Sequence, residues 1–142
     1  MLIPPIATIG FLIFFFAHFK IFKFAFLALG LSLDLKNDPR LIEEYKNFHL
    51  PENIWPEIPE SIRSAGVRDM QIFLVENHLF MIMDVENDFD SKKKEELDAR
   101  NPVVQRWEKL MWTYQQALPS AKPGQKWVQL ERIFQLSNSS DS

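Results

Sequence analysis

Cysteine is absent from this 142-residue chain, and glycine occurs only four times. Without cysteine there are no disulfides, thiol nucleophiles or thiolate metal ligands, and the redox compartment is left open. Positive charge is in deficit, with 16 Lys and Arg against 19 Asp and Glu. The one basic cluster, Lys92 to Lys94, runs straight into Glu95 and Glu96. That pattern gives no electrostatic footprint for nucleic acid. The three histidines, His18, His49 and His78, are too scattered for a metal site by spacing, and neither an HExxH nor an EF-hand pattern occurs. Asn138-Ser139-Ser140 matches the glycosylation sequon, a chance match in a non-secreted tail. What the chain has in quantity is apolar surface: 46% of residues are hydrophobic and 13% aromatic, enough for one domain with a real core.

Three regions are expected. Residues 1–22 form an apolar extension, in which Leu2 to Phe19 is an uncharged run near the lower limit for a membrane span. Lys20 and Lys23 follow the run and no cation precedes it, which is the wrong order for a cleaved signal peptide. Two readings stay open. In one, the run is an anchor holding the rest of the chain on the cytoplasmic side. In the other, it is a non-native start outside the working protein, as Pro4, Pro5 and Gly10 would weaken a helix. Membrane attachment is expected only if residues 2–19 are a real anchor. Residues 23–137 form the working domain, and the polar tail 138–142 is expected to be disordered.

Leu27, Leu29, Leu31, Leu33 and Leu35 alternate with Ala28, Gly30, Ser32 and Asp34, the period of a strand with a leucine face toward helices and a small, polar face left open. Asp38 and Pro39 supply an N-cap and an N1 proline for a helix through Phe48 or His49. A short helix over Ser61 to Ala65 stops at Gly66. Met70 to Val75 and Leu79 to Val85, joined by Glu76, Asn77 and His78, read as an antiparallel hairpin. The charged stretch after Asp90 reads as a solvated helix. Asn101 and Pro102 open another helix, with Val104, Trp107, Leu110, Met111 and Tyr114 at helical intervals. Trp127 to Leu136 returns as a last strand. The order is α+β, a ferredoxin-like split βαβ with a four-stranded antiparallel sheet. One sheet face is bare, and a second copy is the expected cover.

Tyr45 and His49 stand four residues apart, so phenol and imidazole project from one helix face. On that spacing alone the pair is most often packing. The segments around it carry more. Asp38-Pro39, Leu41-Ile42, Glu44-Tyr45-Lys46 and His49, the Ile54 to Ile58 stretch, the hairpin, the helix from Val103 to Met111 and the closing Glu131 to Leu136 stand in one order and register. Together they resemble the L-rhamnose mutarotase family over about Leu27 to Leu136. The resemblance implies a homodimer of the dimeric α+β barrel type and interconversion of the α and β anomers of a free 6-deoxy-L-hexose, L-rhamnose or L-fucose; a cytoplasmic location is expected from the charge order around the apolar run. Such a reaction needs general acid–base catalysis and no cofactor, metal or nucleotide. By the resemblance His49 is the proton donor and Tyr45 contacts the sugar. The family's further tyrosine is matched by Met70, and its tandem tryptophans by Trp107 and Glu108, so Trp107 keeps a stacking ring while Glu108 brings a carboxylate. Trp55 joins the set as an aromatic wall. Two other functions stay open at this point: a cofactor-free monooxygenase of the same dimer class, which needs a large apolar cavity, and a non-catalytic ligand-binding module.

Overall fold

A computed structural model describes residues 27–136. The expectations for Leu2 to Phe19, the rest of 1–22 and the tail 138–142 lie outside the described residues. Among the described residues no helix is long and apolar enough to cross a membrane.

The elements run β1 (Leu27–Leu35), α1 (Pro39–Phe48), α2 (Glu57–Ser64), β2 (Val67–Val75), β3 (His78–Val85), α3 (Ser91–Arg100), α4 (Pro102–Trp112), β4 (Gln115–Gln116) and β5 (Val128–Gln129). β1 lies between β3 on one side and both β4 and β5 on the other, all antiparallel, and β2 forms the far edge against β3. The alternation in β1 sets the register: Leu29, Leu31 and Leu33 stand opposite Met83, Met81 and Leu79, which face Met70, Ile72 and Leu74 of β2. One face of the sheet is therefore aliphatic from edge to edge. A bulge between Val67 and Asp69 shifts the start of β2, so Val67 turns inward beside Val85 rather than outward with Asp69.

The helices cover that inner face. Leu35 and Leu79 of the sheet join Tyr45, Ile58, Val104, Trp107, Met111 and Tyr114 in one core cluster, and Val67, Met81, Met83 and Val85 form a second. Buried apolar area on this scale is the main favourable term holding the layers together. Asp38 caps α1 by accepting from the Arg40 and Leu41 amides, and Pro39 starts the helix where no N–H is needed. Asn101 and Pro102 repeat the device for α4.

Three expectations need correction. The second helix covers Glu57–Ser64 rather than Ser61 to Ala65: Glu57 and Glu60 favour the positive end of the helix, and Pro59 sits in the first turn, whose amides have no helical acceptor. Its end is as read, with Gly66 at φ +93 just past the last turn. The hairpin loop is only Glu76-Asn77, since His78 already pairs with Val75. The last strand is not Trp127 to Leu136. Only Val128–Gln129 pairs with β1, opposite Ser32 and Leu31, and Gln115–Gln116 pairs with Leu35 and Asp34. The fourth place in the sheet is thus shared by two dipeptides, with the ladder unfilled beyond Leu130.

The opposite face is open. Phe73 is 50% exposed and Ile82 46%, beside Phe80 and Val75 and across from Gly30 and Ala28. Leu130 lies over Gly30, within 3.2 Å of where a Cβ would stand, so the missing side chain makes the room Leu130 uses.

Candidate active site

Helix α1 presents its chemistry on its last turn. Tyr45 is buried, and His49 forms the C-cap at φ −94 and ψ 0. The His49 ring curls back along the helix, with Nδ1 2.8 Å from the Tyr45 carbonyl oxygen. A carbonyl only accepts, so Nδ1 carries the proton and Nε2 is left with its lone pair in the neutral ring. The Tyr45 and His49 ring centroids lie 4.4 Å apart with the planes tilted by 38°, and the Trp107 ring meets the imidazole edge-on at 5.6 Å. Burial holds the imidazole pKa below its ordinary value, and the bond to the Tyr45 carbonyl opposes this in part. At neutral pH the uncharged ring dominates. Burial pushes the Tyr45 phenol up to about 12, against a smaller opposing effect of the Gln115 amide, so it stays a hydroxyl.

These groups stand on the wall of a cavity of about 880 Å³ between the helices and the inner sheet face. Tyr45, His49, Met70, Trp107 and Glu108 all line it, from α1, β2 and α4, so five of the six residues singled out in the sequence come together. Trp55 does not line the cavity: its ring packs 5.3 Å behind Trp107. Met81 and Met83 form part of an apolar floor. The volume exceeds the small pocket a monosaccharide calls for. Lys94, Glu95 and Asp98 of the charged helix α3 also reach the wall, and Lys94 is ion-paired with Asp98, so the stretch read as solvent-facing contributes one side to the cavity.

Sequence reasoning missed two further wall residues. Lys126 donates to the Glu108 carbonyl oxygen at 3.1 Å and lies 3.4 Å from its carboxylate Oε2. Gln115 places Nε2 3.5 Å from Tyr45 Oη. Neither has a local signal, because each reaches the site by tertiary placement of a loop or a two-residue strand. Among the described residues no three His, Asp or Glu side chains gather where they would hold a metal ion.

A profile of L-rhamnose mutarotases matches residues 28–136. The chain belongs to the L-rhamnose mutarotase family. It is 44% identical over 105 residues to a protein named L-fucose mutarotase from Xanthomonas campestris, covering 74% of this chain and 84% of that one. It is 35% identical over 92 residues to an L-rhamnose mutarotase from Burkholderia ambifaria, covering 61% and 83%. A crystal structure of an L-rhamnose mutarotase from Formosa agariphila superposes with a TM-score of 0.57 at 24% identity, over 78% of this chain and 99% of that one, and shares the fold. The mixed α+β architecture is therefore that of the family.

Proposed function

We propose that this protein is a mutarotase of a 6-deoxy-L-hexose, with L-fucose preferred over L-rhamnose. The observation that carries the reading is an imidazole whose Nδ1 donates to a carbonyl, which leaves Nε2 as the basic nitrogen, one helical turn from a protonated phenol and beside a tryptophan ring in a chain of this family. In ring opening His49 Nε2 takes the proton of the anomeric hydroxyl, C1=O1 forms, the bond from C1 to the ring oxygen breaks, and that oxygen gains a proton from solvent water, with Glu108 as the second carrier to relay it. Rotation about C1–C2 followed by the reverse steps gives the other anomer, with His49 as proton donor on reclosure. A histidine serves both senses because its two forms lie close in energy near neutrality. Tyr45 supplies a hydroxyl contact to the sugar, Trp107 an aromatic surface, and Glu108 an acceptor or second proton carrier. Met70 gives an adaptable apolar surface. Trp55 acts behind Trp107, fixing its ring.

Support for L-fucose is the higher identity to the relative named for that sugar, together with Met70 and Glu108 standing where the family's aromatic contacts are expected. The monooxygenase and binding-module readings are not favoured by relatives named as mutarotases.

The working form is a homodimer through the open sheet face, supported by Phe73, Phe80 and Ile82 exposed side by side. A second copy across that face fits the dimeric α+β barrel. Lys20 and Lys23 after the apolar run support a cytoplasmic location.

The deciding measurement is saturation-transfer NMR of L-fucose and L-rhamnose with purified protein and no added metal or cofactor. Faster anomer exchange is expected. Exchange no faster than in buffer, for both sugars, would overturn the reading.

A further inference from the structure

Gln115 is placed by β4, a strand of two residues whose register against Leu35 brings this one side chain to the cavity wall beside Tyr45. It is 6% exposed. Its Nε2 points at Tyr45 Oη across 3.5 Å, and its Oε1 has no hydrogen-bond partner among the described residues. A buried carbonyl left unpaired lowers stability, and native proteins keep few such groups without a reason. Here the reason lies in the neighbouring phenol. With the amide N–H directed at the phenol oxygen, the single Tyr45 O–H is free to donate elsewhere. The wall then offers one donor, Tyr45 Oη, next to one unfilled acceptor, Gln115 Oε1.

A sugar hydroxyl is both acceptor and donor. Accepting from Tyr45 Oη and donating to Gln115 Oε1, it would close a ring of three hydrogen bonds that neither an apolar ligand nor a simple acceptor can complete. We propose that Gln115 is a specificity-determining residue that binds one hydroxyl of the sugar jointly with Tyr45, an inference that rests on the mutarotase reading. A site built to pair with a hydroxyl discriminates strongly, because the wrong ligand leaves buried groups unpaired.

Gln115→Leu keeps the size of the side chain and removes the amide. Its expected signature is a loss of sugar recognition without a loss of stability. The melting temperature of the sugar-free protein should hold or rise. KM for L-fucose should increase about tenfold, with kcat changed less. In a Tyr45→Phe background the same substitution should change KM by less than about threefold, since the shared hydrogen-bond ring is already broken. Gln115→Met, unbranched and equally apolar, repeats the test should the leucine variant fold poorly. A lower melting temperature with equal losses in both backgrounds would make Gln115 structural and overturn the inference. An unchanged KM in both would mean that the amide does not meet the sugar. If wild-type protein exchanges neither sugar, the mutarotase reading itself falls, and the role of Gln115 with it; an active wild type with indifferent variants removes Gln115 alone.

Discussion

The same three strands, β1, β2 and β3, build both faces of the sheet, and the two faces have opposite fates. The inner face is aliphatic, lies under α1, α2 and α4, and floors the cavity. The outer face is also rich in apolar groups, yet Phe73, Phe80 and Ile82 stand in the open. Alternation explains the first: period 2 delivers one residue in two to the core. It does not call for large apolar residues on the other side, where a solvated strand carries polar ones. Two histidines sharpen the contrast. His49 lies on the inner side, bonded to a carbonyl, its pKa lowered mainly by burial. His78 pairs across the outer face with Asp34 at 2.7 Å, and its pKa is raised, first by that hydrogen bond and then by the charges of Asp34 and Glu76. One environment favours the neutral form of an imidazole, and the other favours the charged form.

The sharpest way to break this division is to remove each imidazole. His49→Ala should lower kcat about 10² to 10⁴-fold with the fold retained, as for a positioned acid–base group, whereas His78→Ala should leave kcat within about threefold, in the range of substitutions away from an active site. Steady-state exchange rates with circular dichroism check both. Near-equal losses from the two changes would erase the distinction.

Next in size is sugar choice on the inner side. Met70→Tyr with Glu108→Trp should raise the rhamnose-to-fucose ratio of kcat/KM about tenfold, because making or losing one buried hydrogen bond is worth about 1 to 3 kcal/mol. Kinetics on both sugars decide. An unchanged ratio in active protein would mean that these two wall residues do not touch the sugar.

The outer face is tested by charge. Phe80→Glu places a carboxylate amid Phe73 and Ile82, and light scattering should show the mass fall from two chains to one at micromolar concentration. A wild-type protein that is already monomeric would refute the dimer.

The smallest effect is in titration. By ¹H–¹⁵N NMR, His49 should titrate below pH 6.5 and His78 above it, and Asp34→Asn should bring His78 back toward its ordinary value. The two act on stability with opposite signs. For His49 the folded pKa is depressed, so its contribution is full above about 6.5, the unfolded value, and fades as pH falls through the folded value. For His78 the folded pKa is raised, so the Asp34 contribution is full below about 6.5 and fades as pH climbs through the folded value.

Much of this architecture was legible in the chain. The leucine alternation gave β1, Asp38-Pro39 and Asn101-Pro102 gave two helix starts, and Gly66 gave a helix end, since each depends on neighbours in sequence. β4 escaped notice because two residues carry no period and its ladder exists only once β1 is beside it. The closing segment has enough apolar residues to read as a long strand, but its pairing with β1 stops at Leu130, whose amide donates to the Gly30 carbonyl. Arg132 reaches the Ala28 carbonyl with its side chain instead, 3.4 Å away. At the site, Tyr45 and His49 are one helical turn and could be read together. Gln115 and Lys126 arrive from distant segments, and no pattern near either of them announces it.

The one-turn link between the His49 ring and the Tyr45 carbonyl has a consequence for how such a protein can change over generations. Tyr45 and His49 are held together by a single capped helix, while Met70, Glu108 and Gln115 are contributed by three other segments. On the proposed reading, mutations in those segments can explore new sugars one position at a time, while the geometry of the Tyr45–His49 pair is inherited with about a dozen consecutive residues, Asp38 to His49.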